Sequence, residues 1–304
     1  MMYEGVLPVW KPEGYTSHDV VAKARRILGM KRIGHTGTLD PQVTGVLPLC
    51  LGRATRMVEF IQELPKEYEA VLVIGLSTDT EDMTGTVTEQ AENVRLDEDQ
   101  VLQTIGTFIG EIDQVPPMYS AVKVEGKRLY ELAREGKEVE RKSRKVTIHE
   151  IDVLTMNMQS DKPEIHLRVR CSKGTYIRTL CVDIGKALGY PSVMKSLIRT
   201  STGNIRREQC VTLEQMAQLK EEGTLQSKLI PMDQSIGHLP AVRLTARESE
   251  HALQGKRISV QPERVLEGAA SETLLRAYSP EERFLGLFEW HSSTQCLVPS
   301  KVFV

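Results

Sequence analysis

Two side chains beside glycine-containing loops are the first candidates for chemistry in this 304-residue chain. Asp40 lies in a stretch rich in Gly, Thr and Pro, and Arg178 follows the loop 172–174 in the first turn of a predicted helix. The helix macrodipole disfavours a positive charge in that turn, so Arg178 requires an anion nearby. Spacing alone does not decide whether that anion is a substrate phosphate or a carboxylate such as Asp40.

The same residues also have ordinary structural explanations. Asp40 followed by Pro41 is typical of a turn or a helix start. Tyr68 and Tyr176 lie at the ends of predicted core elements, where aromatic rings usually pack. His35, beside a glycine in a loop, is typical of a surface histidine. Taken one at a time, these positions leave both interpretations open.

The glycine-rich loop at residues 34–45 does not match a known phosphate-binding loop. It lacks both the G-K-[ST] ending of a P-loop and the G-x-G-x-x-G spacing of a dinucleotide site. The chain has no H-E-x-x-H, no G-x-S-x-G and no cluster of residues at metal-ligand spacing. We therefore expect chemistry that needs neither a metal nor an organic cofactor.

Composition is that of an ordinary globular protein, because 40% of residues are hydrophobic and 26% are charged. The first fifteen residues contain no apolar signal region, and no apolar run reaches 18 residues, so we expect a cytoplasmic protein without a membrane segment. Five cysteines without a C-x-x-C pair predict free, mostly buried thiols. The net charge is −2, but residues 23–32 and 123–145 are locally basic. These two segments are either solvated faces or anion-binding surfaces.

Periodicity predicts a sequence of elements that alternates between helices and strands. A helix starts at Ser17 as its cap and ends at Gly29, and residues 33–56 are predicted to be a long ordered loop. The remaining elements, in chain order, are a strand over 68–74, a helix over 97–109, an excursion at about 112–142, a strand over 165–171, helices over 175–188 and 212–223, a linker over 229–240, and a small, mainly β unit over 241–304.

Several motifs together resemble TruB-type tRNA pseudouridine synthases. The longest is residues 34–56, which resembles the segment around the family's catalytic aspartate and places that residue at Asp40. Further matches are the N-terminal motif at 11–17, the tyrosine strand at 66–68, the RNA-clamping insertion around 115–123 and the arginine motif at 171–180. Residues 241–304 resemble a PUA-type RNA-binding module. The resemblance spans nearly the whole chain and is weakest after residue 240.

The resemblance implies a mixed α/β (α+β) fold with a bent, mainly antiparallel sheet and flanking helices in residues 1–235, followed by a small, mainly β PUA-like domain at 241–304. It assigns catalytic roles to Asp40, Tyr68 and Arg178. The residues that it assigns to substrate binding are Lys11, His35, Asp82, Lys123, Lys127, Arg128, Tyr176 and Leu197. Tyr68 would stack on a flipped base, and the basic insertion would hold phosphates.

The implied activity is isomerisation of a uridine in the T loop of tRNA, at position 55, to pseudouridine. The implied partner is the T arm of tRNA, with no obligatory protein partner, no membrane and a monomeric chain. Two alternatives stay open. One is an RNA-binding or RNA-chaperone protein without catalysis, and the other is a pseudouridine synthase acting on another RNA, as in a guide-dependent ribonucleoprotein.

Overall fold

The computed structural model describes residues 3–124, 126–265 and 272–303, so the outer bounds predicted at residues 1 and 304 lie outside the described residues. The strands are β1 (Gly5–Lys11), β2 (Ile33–His35), β3 (Thr44–Leu51), β4 (Lys66–Ile74), β5 (Leu76–Thr78), β6 (Val87–Gln90), β7 (Gly110–Gln114), β8 (Lys123–Val124), β9 (Lys127–Arg128), β10 (Arg144–Asn157), β11 (Glu164–Cys171), β12 (Ser192–Thr202), β13 (Ile205–Arg206), β14 (Ala241–Arg243), β15 (Ile258–Ser259), β16 (Thr273–Tyr278), β17 (Phe284–His291) and β18 (Cys296–Val302). The α-helices are α1 (Ser17–Leu28), α2 (Val58–Glu63), α3 (Glu98–Gly106), α4 (Leu129–Arg134), α5 (Ile177–Ala187), α6 (Leu213–Glu221) and α7 (Ala246–Leu253).

A nine-stranded sheet organises the larger part of the molecule. Its main order is β1-β3-β12-β4-β11-β10-β7, with β2 beside β3 and β13 beside β12. β3 and β12 run parallel, and the other pairs of this sheet run antiparallel. The register of β12 against β4 shifts twice, and such bulges bend a sheet. The predicted mixed fold with a mainly antiparallel sheet is confirmed.

Helices cover the sheet in two separate cores. α1 and α6 pack on β1 and β3, where the apolar stripe of α1 is buried. α3 and α5 pack on β4, β10 and β11, and the predicted face of β4, which includes Ala70, Leu72 and Ile74, lies in this core. The sequence periodicity therefore identified these faces correctly, because each element buries only one of its sides there.

The prediction of a continuous loop over 33–56 is wrong, since β3 occupies residues 44–51. β3 is buried along nearly its whole length, so its apolar residues form an unbroken run instead of alternating. Pro48 and the glycines beside this run favour loops and hid the strand. Likewise, β12 was not predicted, because polar and apolar residues mix in it without a regular period.

The cap of α1, the end of α3 and the segment predicted as a linker also differ from the prediction. Thr16, not Ser17, caps α1, because the Thr16 hydroxyl accepts from the amide of Asp19. α3 ends at Gly106, three residues before the predicted end at Ile109. The segment predicted as a linker, 229–240, is packed into the fold. Its residue Ile230 exchanges two backbone hydrogen bonds of 2.8 Å with Val6.

The C-terminal unit is a five-stranded sheet in the order β14-β16-β17-β18-β15, with α7 against it. The predicted small, mainly β unit and its capping box at Thr245 are confirmed. This unit shares a core with the larger part, since Leu287 and Phe303 pack in one cluster with Ile61. The guanidinium of Arg56 donates to the carbonyl of Val302 at 2.6 Å across the same boundary.

The five cysteines are free thiols, as predicted, and Cys50, Cys171 and Cys181 are buried. Among the described residues, no helix is both long enough and apolar enough to cross a membrane.

Candidate active site

Asp40 lies in the connection between β2 and β3. The amide of Val43 donates to the Asp40 carbonyl at 3.0 Å, so the Asp-Pro turn expected from sequence is present. The turn leaves the side chain of Asp40 about two-fifths exposed, at 42%. The carboxylate is therefore free to face solvent on one side.

The N-terminal motif supports this turn from beneath. The ammonium of Lys11 donates to the carbonyls of Pro12 at 2.8 Å and Pro41 at 3.0 Å, and also to that of Tyr15. The amide of Gly14 donates to the Pro41 carbonyl at 2.9 Å. Lys11 has no exposed surface, and burial lowers its pKa to about 8. Its three donors are all directed to backbone carbonyls beneath the turn, so the structure places Lys11 as a support of this turn.

The start of α1 makes a second anchor for the same turn. The amide of Leu39 donates to the hydroxyl of Ser17 at 2.9 Å, and Ser17 is fully buried. Because Thr16 supplies the helix cap, the hydroxyl of Ser17 is left to bind the loop. The position of Asp40 thus depends on both β1 and α1.

Arg178 pairs with Asp40. Its Nη2 lies 3.1 Å from Oδ2 of Asp40, and the arginine side chain is only 5% exposed. The guanidinium also donates to the carbonyls of Thr80 at 2.9 Å and Tyr119 at 2.8 Å. The carboxylate that Arg178 requires at its helix start is therefore Asp40, which settles the choice that spacing left open.

A cavity of about 370 Å³ opens beside this pair, within the range of small-ligand sites. It brings together five of the eleven predicted site residues: Asp40, Tyr68, Tyr176, Arg178 and Leu197. Burial raises the pKa of both Tyr68 and Tyr176, so both phenols keep their protons at neutral pH. These five residues bring two phenol rings, one aliphatic side chain and an ion-paired carboxylate to the cleft.

Two buried basic residues of the cavity, Arg199 and Lys66, were not among the predicted site residues, although Lys66 lies in the motif at 66–68. Arg199 is 2% exposed, and its Nε donates to the carbonyl of Val46 at 2.7 Å. Burial lowers the pKa of Lys66 to about 8, and its ammonium donates to backbone carbonyls of the preceding turn, including that of Leu64 at 2.7 Å. Arg199 lies two residues after Leu197 and so shares its strand face, which is the signal that was available.

The excursion at about 112–142 leaves and re-enters the sheet between neighbouring strands, because β7 pairs with β10. It contains the hairpin β8–β9 and helix α4, and its residues Ser120 and Ala121 line the cavity. Lys123 is exposed, as is Lys127, which pairs with Glu135 at 3.1 Å.

Arg128 lies at the start of α4 and is partly buried. Its Nη1 donates to the hydroxyl of Tyr130 at 3.1 Å, and its guanidinium lies 5.8 Å from the centroid of that ring. Lys123, Lys127 and Arg128 thus lie on one hairpin next to the cavity rather than within it.

Besides Lys11 and the three residues of the hairpin, His35 and Asp82 also lie outside the lining of the cavity. His35 is partly buried and packs edge-to-face on His18, with ring centroids 5.2 Å apart. The Oδ1 of Asp82 accepts from the hydroxyl of Thr80 at 2.8 Å and from the amide of Thr84 at 2.9 Å. Since the Thr80 carbonyl accepts from Arg178, Asp82 orders the loop that holds this arginine.

No group of three or more His, Cys, Asp or Glu side chains in the described part of the chain is arranged to hold a metal ion. The chemistry that the cavity offers is that of a carboxylate held by a guanidinium, beside two phenols. Such a carboxylate serves as a nucleophile or as a general base.

The sequence matches two family descriptions in succession. One is the TruB family pseudouridylate synthase (N terminal domain), over residues 25–177, and the other is the tRNA pseudouridylate synthase B C-terminal domain, over 178–236. A tRNA pseudouridine synthase B of Bacillus pumilus is 41% identical over 304 residues, which covers 99% of this chain and 98% of the relative. Its counterpart in Staphylococcus aureus is 40% identical, with 99% and 100% covered.

Solved structures resemble the chain over its whole length. A chain of a Cbf5-Nop10-Gar1 complex has a TM-score of 0.76 at 28% identity, covering 99% of this chain and 85% of that one. A chain of an H/ACA RNP bound to a substrate RNA containing 2′-deoxyuridine has a TM-score of 0.75 at 26% identity, with the same coverage.

Proposed function

Because the chain belongs to the TruB family of pseudouridine synthases, we propose that it converts a uridine in the T loop of tRNA to pseudouridine. The substrate class comes from relatives named tRNA pseudouridine synthase B, which match nearly the full length of this chain. The T loop comes from the resemblance of the motifs around Asp40 and Arg178.

The proposed reaction is an isomerisation with no net gain or loss of atoms. The bond between C1′ of the ribose and N1 of uracil breaks, the base turns, and a bond forms between C1′ and C5. The proton that C5 loses is balanced by the one that N1 gains. No electron acceptor and no water are consumed.

The strongest support for the proposal is the pair formed by Asp40 and Arg178 at the mouth of the cavity. Asp40 is exposed enough to meet a nucleotide, while the buried guanidinium of Arg178 holds it in one orientation. A uridine stacked in a folded T loop must first swing out of its stack to reach this carboxylate, at a cost of a few kcal/mol. Tyr68 and Tyr176 offer ring faces that offset part of that cost.

We place the RNA backbone along the hairpin of the excursion. The exposed ammonium groups of Lys123 and Lys127 lie on this hairpin next to the cavity, and phosphate contacts of this kind position an RNA without reading its sequence. We further propose that residues 241–304 form a PUA-like module that binds RNA through exposed basic residues such as Lys256 and Arg257.

The role of the C-terminal unit calls for surface substitutions rather than truncation. Cutting the chain near residue 240 would remove Leu287 and Phe303 from a shared core and expose Ile61. The double variant K256E/R257E keeps that core. We expect it to weaken tRNA affinity while leaving turnover at saturating RNA unchanged, because neither residue lines the cavity.

The proposed function is tested by incubating the purified protein with an unmodified tRNA transcript and mapping pseudouridine along the RNA. The expected product is one pseudouridine in the T loop. A variant transcript with cytidine at that position is the matched control and yields none. Binding without any product would support a non-catalytic RNA-binding protein, and modification of another RNA but not of tRNA would overturn the proposed substrate.

A further inference from the structure

Arg199 is a buried cation of the cavity to which the proposed reaction assigns no role. It is the largest of the fully buried side chains, and its guanidinium lines the same cavity as Asp40. Its Nη2 lies 3.5 Å from the carbonyl oxygen of Gly37, in the segment that leads to Asp40. An arginine stays charged at every physiological pH, so this position carries a permanent positive charge.

The sheet register aligns Arg199 with Tyr68. The two residues are direct partners on the neighbouring antiparallel strands β12 and β4. Directly opposed residues of such a pair have side chains on the same face, about 5 Å apart at Cβ. Both side chains line the cavity, so the guanidinium and the phenol face the same space.

The chemistry of the two groups determines how they interact. Burial raises the pKa of Tyr68, and the charge of Arg199 together with a side-chain hydrogen bond from it opposes that rise. A guanidinium has donors only, so the phenol oxygen of Tyr68 must be the acceptor. The phenol's own proton is then directed away from Arg199.

Strand β3 packs closely against the backbone of Arg199. Gly45 is its partner on the parallel strand β3, and its φ is +127°. A Cβ at Gly45 would lie 2.2 Å from the Arg199 carbonyl oxygen. The side chain is also tied to β3, through the 2.7 Å hydrogen bond from Nε to the carbonyl of Val46.

We infer that Arg199 is a positioning residue, which orients the Tyr68 hydroxyl so that its O–H donates a hydrogen bond to the flipped nucleotide. The inference rests on the proposed function, since it concerns the reaction of the same cavity. Arg199 acts through Tyr68 and does not itself contact the reacting atoms. The effect of its removal on the rate should therefore depend on the hydroxyl of Tyr68.

A double-mutant cycle tests this dependence. Single-turnover rates are measured at saturating tRNA for the native enzyme, R199M, Y68F and the double variant. We expect R199M to slow the native background about 10- to 100-fold, which corresponds to one charge-assisted hydrogen bond. In the Y68F background the same substitution should cost less than about threefold, while tRNA affinity stays the same in all four proteins.

K66M is the matched control, because Lys66 is another buried cation of the cavity but donates to backbone carbonyls. Its effect should be equal with and without the Tyr68 hydroxyl. If R199M slows both backgrounds equally, as K66M does, Arg199 only supports the fold and the inference is overturned. If R199M fails to fold, the same cycle is measured with R199K. We expect R199K to lower the single-turnover rate less strongly, and to leave the rate unchanged in the Y68F background.

A measurement without turnover separates this inference from the proposed function. In protein labelled with ¹³Cζ-tyrosine, the resonance missing from Y68F identifies Tyr68. Replacing Arg199 by Met or Lys should displace this resonance, and R199M should move its titration to higher pH because the cation is lost. An unchanged resonance would overturn the inference even in an active enzyme. An enzyme that makes no pseudouridine would refute the proposed function and leave this spectroscopic result standing.

Discussion

Replacing Arg178 by lysine keeps the positive charge beside Asp40 but removes the planar fork. The guanidinium makes three contacts, to the carbonyls of Thr80 and Tyr119 and to the carboxylate of Asp40, at 2.8 to 3.1 Å. A lysine ammonium is a point donor on a differently shaped side chain and cannot reproduce this geometry. R178K therefore leaves the carboxylate of Asp40 without its fixed partner.

The expected size of the effect follows from the hydrogen bond to Asp40 that the substitution removes. One charge-assisted hydrogen bond contributes about 1.5 to 3 kcal/mol, and each 1.36 kcal/mol of transition-state stabilisation is about a factor of ten in rate. If this bond is absent in the transition state, turnover falls about 10- to 150-fold. Affinity for tRNA should change less than about threefold, because the Arg178 side chain is only 5% exposed.

The assay is single-turnover pseudouridine formation at saturating tRNA, with filter binding for the dissociation constant. R168K is the matched control, since Arg168 pairs with Glu69 at 2.9 Å on the same sheet but lies outside the cavity. A rate for R178K within threefold of R168K would refute the claim that the fork positions Asp40. A large loss of tRNA affinity would instead identify Arg178 as an RNA contact.

Three further predictions concern stability and are checked by urea unfolding. G45A should lose about 3 kcal/mol or more, because its Cβ would lie 2.2 Å from the carbonyl oxygen of Arg199, whereas G29A, with positive φ but open space, loses about 1 to 2. K11M should lose about 3 kcal/mol and slow turnover, since three carbonyls beneath the Asp40 turn lose their donor. Hydrogen bonds from Arg264 lower the pKa of Glu248 from 4.5 to about 2, so its contribution, at most about 3 kcal/mol, is complete above pH 4.5 and lost as pH falls to 2. E248Q should abolish that acid dependence, and the exposed control E250Q should keep it. Equal losses of stability in G45A and G29A, equal acid dependence of E248Q and E250Q, or an unchanged stability of K11M would contradict the respective prediction.

The parts of the fold that were predicted well from sequence are those in which one face of an element is buried. α1 and β4 have clean apolar faces, and both were found at nearly their observed bounds. β3 and β12 lie at the centre of the sheet, where burial on both sides or polar residues facing a cavity remove the alternation. Periodicity therefore fails in these two strands, whereas it succeeds in β4, which also lines the cavity.

Some residues of the candidate site could likewise be predicted from the sequence, and others could not. Asp40, Tyr68 and Arg178 were identified by motif resemblance, and the helix macrodipole indicated that Arg178 needs an anion nearby. Arg199 was missed because an arginine within a strand normally faces solvent, and only the register with Tyr68 places it inside. Lys11 was matched by its motif, but its burial beneath the Asp40 turn depends on a hydrogen bond between residues 30 positions apart in the chain.

The carboxylate of Asp40 is proposed to perform the chemistry on a nucleotide that the rest of the cavity binds. The most direct measurement is tritium release from tRNA labelled at C5 of uridine, made with D40N alongside a binding assay. We expect D40N to bind tRNA with near-native affinity and to release no tritium above background. Release at a near-native rate by D40N would contradict the assignment of Asp40.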